Sequence, residues 1–215
     1  MRLLTVPGVF APRSDSRMLA REAAARVRPG ASVLDPFTGS GILAIAAARA
    51  GAGSVVAVDV SRRAVACARL NARLNGVRIR VLRGDMFEPV AGMRFEAIVA
   101  NPPYVPALSD APPRGAGRAW EAGPDGRALL DRFCREAPAH LAPGGELLLI
   151  HSSVADPARS RVLLEREGLA VRTLAAHRGP FGPILAARAR ALERRGLIAS
   201  GQREEELVVI AAGRP

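Results

Sequence analysis

Ser32-Val33-Leu34-Asp35-Pro36-Phe37-Thr38-Gly39-Ser40-Gly41 is the stretch on which the fold turns. Ser32 to Leu34 reads as a short strand, the next seven residues as a turn, and the alanine-rich run Ile42 to Ala50 as a helix. A strand that passes through a glycine turn into a helix is the opening unit of an α/β sheet. The small residues Gly39, Ser40 and Gly41 let a ligand approach the main chain where the helix N-terminus presents its free N–H groups. A glycine turn alone is weak evidence, so its neighbours must support it.

They do so on both sides. Upstream, Ser14 to Arg28 carries Met18, Leu19, Ala23 and Val27 at helical spacing, with Ser14 or Asp15 as cap and Pro29-Gly30 as stop. Downstream, Ser54 to Val58 is a second strand that ends in Asp59, 18 residues after Gly41. An acid at that place can take the two hydroxyls of a ribose. It can also cap the helix that starts near Ser61, and the two roles are compatible. That helix runs to Leu74 and stops at Asn75-Gly76. Val77 to Leu82 alternates as a third strand and leads into Gly84-Asp85-Met86-Phe87. Asp85 is either a simple turn residue or an acceptor for an adenine amino group, with apolar Met86 against the ring. The chain has no lysine and no phosphate-cradling loop, and Asp35 stands at the glycine turn. Those features disfavour a pyrophosphate and favour a ligand with a positive centre. S-adenosylmethionine combines an ammonium and a sulfonium with a ribose and an adenine.

Phe95 to Ala100 reads as a buried strand, and Asn101-Pro102-Pro103-Tyr104 closes it. Ligands of open α/β sheets bind at such carboxyl ends. The prolines stiffen the backbone and remove two donors, which leaves carbonyls free as acceptors. The Asn101 side-chain oxygen and the Pro102 carbonyl can hold the two hydrogens of a planar NH2 group, while Tyr104 offers a face to stack on. This suits methylation of an amide or exocyclic amine, where positioning and electrostatics supply the rate.

Composition sets outer bounds. The chain has 215 residues, enough for one domain with a proper core, and no internal repeat. It has no apolar run long enough to cross a bilayer and no signal-peptide pattern at Met1 to Pro7. Cys67 and Cys134 lie in helix-like contexts without metal spacing, and His140, His151 and His177 have no ligand spacing, so no metal site is expected and the histidines read as surface or hydrogen-bond-satisfied residues. A reduced, cytoplasmic compartment fits. The formal charge is +11 and every basic residue is arginine. With only three asparagines and one glutamine, this reads as GC-rich coding bias and a generally positive surface. A nucleic-acid or RNA-bound partner remains compatible with the charge.

Taken together, these motifs resemble class I S-adenosylmethionine-dependent methyltransferases. Within them the chain is similar to the HemK-like group, which methylates the glutamine side-chain amide in the Gly-Gly-Gln tripeptide of peptide-chain release factors. The resemblance runs from about Val9 to Ser153 and returns at the last strand. It rests on Val9-Phe10-Ala11-Pro12-Arg13-Ser14-Asp15-Ser16, on Asn71-Ala72-Arg73-Leu74-Asn75-Gly76, and on Asn101 to Pro106. It rests most specifically on Trp120-Glu121-Ala122-Gly123-Pro124-Asp125-Gly126-Arg127, followed by Leu129, Leu130, Asp131 and Phe133. It implies that Asn101, Pro102, Pro103 and Tyr104 bind the acceptor amide, with Asn101, Pro102 and Tyr104 at the reaction. It also implies that Pro12, Asp15, Asp35, Thr38, Gly39, Gly41, Asp59, Asp85, Met86 and Asn101 hold the cofactor. Asp35-Pro36-Phe37 departs from the group and is common in methyltransferases of nucleic-acid amino groups, which keeps an N6-adenine or other base-amine enzyme as the alternative. Only about thirty residues precede the first strand, so the chain resembles the short branch without the N-terminal helical domain. Eukaryotic and archaeal members of that branch work with a small zinc-containing partner, and nothing in this sequence identifies one. A binding module on a degenerate methyltransferase fold is the third reading.

The expected architecture is a single α/β domain over 1–215, a Rossmann-like, mostly parallel seven-stranded sheet with an antiparallel last strand and helices on both faces. Leu147 to Ile150, Ala170 to Leu174 and Leu207 to Ile210 read as its last strands, with a helix from Ala155 to Glu167. A helical insertion, 177–206, interrupts the return to the final strand. Its arginine-rich helix, Ile184 to Arg195, reads either as a grip for an acidic or RNA-bound substrate or as a helix packing Ile184, Leu185 and Leu192 with its arginines in water.

Overall fold

The computed structural model describes residues 1–108, 117 and 119–214. Its elements run α1 (Ser14–Arg26), β1 (Ser32–Asp35), α2 (Ile42–Arg49), β2 (Ser54–Asp59), α3 (Arg62–Leu74), β3 (Arg80–Arg83) and β4 (Phe95–Ala100). They continue with α4 (Ala128–Glu136), β5 (Leu141–Ser152), α5 (Pro157–Arg166), β6 (Ala170–Pro180), α6 (Pro183–Arg194) and β7 (Glu204–Gly213). The strands form one seven-stranded sheet in the order β3-β2-β1-β4-β5-β7-β6. β1 to β5 pair in parallel, and β7 is antiparallel to both β5 and β6. The expected Rossmann-like sheet with its antiparallel last strand is therefore observed.

Strand alternation divides the core. Val33, Val55 and Ala57 face α1, α2 and α3 through Leu19, Ala23, Leu43 and Ala68. Leu34, Val56, Val58 and Ile98 face α4 and α5 through Leu130, Phe133 and Leu164. Successive side chains point to opposite faces, so a strand buried on both sides reads as a continuous apolar run. The order reverses at β1, with β2 on one side and β4 on the other, and a crevice opens there at the strands' carboxyl ends.

Three readings need correction. α1 is not capped by Ser14 or Asp15. It starts at Ser14 after Arg13, without a side-chain cap bond, because the Asp15 carboxylate is drawn inward to other donors. Second, β6 runs on to Pro180 and β7 begins at Glu204. Their long antiparallel pairing absorbs both ends of the expected 177–206 insertion, so its helical part narrows to 181–203. Third, the α6 arginines are not simply in water. Arg188 is mostly buried, paired with Glu121 and donating to the Pro106 carbonyl at 2.8 Å. Arg195 donates to the carbonyls of Ala107 and Pro124. α6 thus packs Leu185, Ala189 and Leu192 on Val105, Trp120 and Tyr104, and its cations seize the carbonyls of the loop beyond β4.

Candidate active site

Asn71 and Asn75 hold the start of the chain in place. Asn71 Oδ1 accepts from Leu4 N at 2.8 Å, and its Nδ2 donates to the carbonyls of Leu4 and Ser40 at 2.8 and 2.9 Å. Asn75 accepts from Arg2 N at 2.9 Å and donates back to the Arg2 carbonyl at 2.6 Å. α3 therefore ties the N-terminal segment to the glycine turn, and Gly8, Val9, Phe10 and Arg13 follow it along the rim of a cavity of about 840 Å³.

The cavity's first half lies over β1, β2 and β3. Thr38, Gly39, Asp59, Asp85 and Met86 line it. Asp59 takes Gly39 N with one oxygen and Ser61 N with the other, both at 2.9 Å, so it fastens the glycine turn and the α3 N-terminus together. Burial raises its pKa above the ordinary value. Thr38 is almost fully buried and its Oγ1 has no partner among the described residues. Asp85 is paired with Arg132 of α4. Met86 follows with a left-handed φ of 48° and its side chain buried at the cavity edge, a strained backbone of the kind that collects at functional sites.

Three of the expected cofactor residues sit behind this wall. Asp35 is fully buried under the glycine turn, its Oδ2 accepting from Ala44 N at 3.2 Å and its Oδ1 unpartnered. Burial pushes its pKa up to about 7. Gly41 is the residue before α2, at φ 87°, and a Cβ there would press on Ala68 of α3 at 3.2 Å. Pro12 is half-buried beside the rim. Neither it nor Asp35 and Gly41 is among the residues that line the cavity.

The second half lies at the end of β4. Asp15, on the first turn of α1, is 4% exposed. Its Oδ2 accepts from Asn101 Nδ2 at 3.3 Å and from the Tyr104 hydroxyl at 3.0 Å. Its Oδ1 accepts from Ser16 N at 2.6 Å and Ser16 Oγ at 3.1 Å. Ser16 Oγ accepts in turn from Asn101 Nδ2 at 3.1 Å. A carboxylate only accepts, so the Asn101 NH2 must face it. That leaves Asn101 Oδ1 without a partner among the described residues. Pro102 is buried and Pro103 half-buried, both lining the cavity. Tyr104 has its pKa raised well above the ordinary value by burial, then by the Asp15 and Glu205 carboxylates. It stays a neutral phenol and a donor.

The cavity has a third wall. His177, Gly179, Ile184, Leu185, Glu205 and Leu207 come from β6, α6 and β7, and Trp120 from the loop after β4. Sequence reading quoted Ser16 and Trp120 within the family's motifs without assigning them to the site, and it missed Glu205. For Glu205 a signal existed, since in the run Glu204-Glu205-Glu206 the strand's alternation buries the middle acid. His151 also departs from expectation. It is fully buried on β5, with Nδ1 3.2 Å from the Ser152 carbonyl, Nε2 unpartnered, and its pKa lowered to about 4 by burial and by Arg127. No group of metal-ligating residues is found among those described.

A sheet of this order, with an acid closing β2 and Asn-Pro-Pro-Tyr closing β4, defines a Rossmann-like methyltransferase. Comparison with known proteins agrees. Residues 1–115 match the methyltransferase small domain, and the chain belongs to that family. It is 34% identical to a Methanocaldococcus jannaschii protein provisionally named a protein N5-glutamine methyltransferase, over 86% of this chain and 93% of that one. It is 35% identical to the release factor glutamine methyltransferase of Geobacter sulfurreducens over 68% of this chain, and spans 54% of that longer protein. Among solved structures, a chain of the E. cuniculi Mtq2–Trm112 complex, described as responsible for methylation of the eRF1 translation termination factor, superposes with a TM-score of 0.68. That match covers 97% of this chain and 99% of the other at 21% identity, a likeness of fold. Among the described residues no helix is long and apolar enough to cross a membrane.

Proposed function

We propose that this protein transfers a methyl group from S-adenosylmethionine to the glutamine side-chain amide nitrogen of a peptide-chain release factor, in the cytoplasm where translation ends. The observation that carries the reading is the Asp15–Asn101–Tyr104 arrangement. An amide held by its NH2 has its oxygen committed to the cavity, and the neighbouring Pro102 carbonyl is claimed by no donor among the described residues. Those two acceptors suit the two hydrogens of a primary amide.

The residues present fit the cofactor. Each Asp59 oxygen carries one main-chain bond and keeps capacity for a ribose hydroxyl. The open space above Gly39 lies beside it. Met86 offers an apolar edge and the second oxygen of Asp85 an acceptor, as an adenine requires. When bound, S-adenosylmethionine supplies an electrophilic methyl on a sulfonium. Asn101 Oδ1 and the Pro102 carbonyl hold the acceptor NH2 and draw electron density onto its nitrogen. The Tyr104 ring stacks on the planar group, and Asp15 keeps both side chains aimed. The nitrogen would take the methyl as the carbon–sulfur bond breaks and a neutral thioether leaves, and the proton it sheds would pass to solvent, so no side chain of the corner has to end with a changed charge.

A base-amine reading draws on Asp35-Pro36-Phe37 and on the charge of +11. Asp35, however, is buried under the turn and faces no acceptor. The test is labelled-methyl transfer by purified protein, alone and with a small zinc-containing partner, to release factors on one side and to total RNA and DNA on the other. Label on a release factor that vanishes when its Gly-Gly-Gln glutamine is replaced is the expected result. Label on nucleic acid alone refutes the reading.

A further inference from the structure

The third wall of the cavity contains two buried polar atoms that have no partner among the described residues. Glu205 is 9% exposed; its Oε1 accepts from Gly182 N at 3.1 Å, and its Oε2 has no partner among the described residues. Trp120 Nε1 is likewise shielded and unpartnered. Leaving a buried donor or acceptor unmade costs about 1–3 kcal/mol, more for a charged group. Both residues line the cavity, and both are held firmly. Glu205 is fixed by the pairing of β7 with β6, opposite Gly179, and by the Gly182 N–H. Trp120 is fixed by its carbonyl, which accepts from Val105 N at 2.8 Å, one residue past the Asn-Pro-Pro-Tyr corner. Its ring packs in the cluster of Phe181 and Leu185 that also takes Tyr104.

We propose that this wall is a recognition subsite for a main-chain peptide unit of the acceptor, next to the side chain that is methylated. Glu205 Oε2 accepts a peptide N–H, the Trp120 indole donates to a peptide carbonyl, and Leu185 and Leu207 cover the apolar remainder. This deepens the proposed function and rests on its protein acceptor. The chemistry chooses between acceptor classes. What flanks a reacting side chain in a protein is a backbone with one donor and one acceptor per residue. What flanks a reacting base in nucleic acid is sugar and phosphate, which gives a buried carboxylate repulsion and few donors.

The experiment compares Glu205→Gln and Trp120→Phe with the unaltered protein, using an intact release factor as acceptor. In Glu205→Gln the Gly182 N–H claims the amide oxygen, so an NH2 group replaces the unpartnered Oε2 while shape is kept. Trp120→Phe removes the N–H and keeps an aromatic packing partner. Each variant is expected to raise KM for the release factor about tenfold, with kcat and the dissociation constant for S-adenosylmethionine within about twofold. Thermal melting verifies folding. Wild-type KM in both variants, or a loss confined to kcat or to cofactor affinity, overturns the subsite. Failure of the unaltered protein to label any release factor is a separate result, and it overturns the proposed function instead.

Discussion

Asp15 shows how one side chain organises a site. It holds Asn101 and Tyr104 at once, and it is the only acid bonded to that corner among the described residues. Two substitutions separate holding from bonding. Asn101→Ala removes the acceptor and should lower kcat about 10²-fold or more, with S-adenosylmethionine affinity nearly unchanged by calorimetry. Asp15→Asn presents an NH2 group toward the Asn101 NH2. It should lower kcat about tenfold or more through misorientation, again without loss of cofactor binding. Normal turnover by either variant would remove the proposed role of the corner. The place of Asn101 at the cavity was legible from its position after an apolar strand. The Asp15 link was not, because it spans 86 positions of chain and no local pattern announces it. For Glu205 the alternation of its strand announces burial, but its place in the cavity follows only from the antiparallel return of β7.

Among the elements, the loop after β4 and helix α6 form a unit that sequence reading had split into a family signature and an insertion. Glu121 of the signature pairs with Arg188 of α6. Arg127 is 2% exposed, paired with Asp131 and donating to Ser160 Oγ at 2.9 Å and the Asp156 carbonyl at 3.0 Å. Gly126, at φ 76°, lies so close that any Cβ would collide with the Tyr104 carbonyl. The signature is thus the buttress of the Asn-Pro-Pro-Tyr corner. Gly126→Ala should cost about 1 kcal/mol from its backbone conformation alone, and the displaced corner should lose far more methyl transfer than thermal stability. Equal and small changes in both, by melting and turnover, would show that the buttress does not matter. Removing one partner of a mostly buried ion pair leaves the other exposed to a desolvation penalty. A double-mutant cycle on Glu121 and Arg188 should therefore show coupling above about 1 kcal/mol, whereas an exposed pair would give less.

For the molecule as a whole, two buried groups set opposing pH dependences. The carboxyl of Asp35 has its pKa raised from 3.8 to about 7. The folded state therefore holds a proton that the unfolded state has lost, and stability falls as pH rises between about 4 and 7. The imidazole of His151 has its pKa lowered from 6.5 to about 4. Here the unfolded state binds the proton, so stability is present above about 6.5 and is lost as pH falls toward 4. Each slope approaches about 1.4 kcal/mol per pH unit, and the two nearly cancel where they overlap. Urea unfolding across pH should therefore show Asp35→Asn losing stability steeply below about pH 6.5. His151→Gln should instead lose it as pH rises toward 7. A parallel response in both variants would contradict this pairing.

The periodicities, the glycine turn, the acids at strand ends and Asn-Pro-Pro-Tyr were sufficient for the class of fold and the position of the crevice, while the antiparallel last strand followed from the family resemblance. These are local consequences of side-chain alternation and backbone freedom, so a linear reading reaches them. Folding settled the rest by bringing distant segments together. It turned Asp15 from a helix cap into the holder of the corner and sank Asp35 beneath the turn it seemed to face. It spent Arg188 and Arg195 on loop carbonyls, and it brought Trp120 and Glu205 to one wall of the cavity. Burial and pairing depend on which surfaces meet, and that depends on strand order rather than on any short stretch of residues.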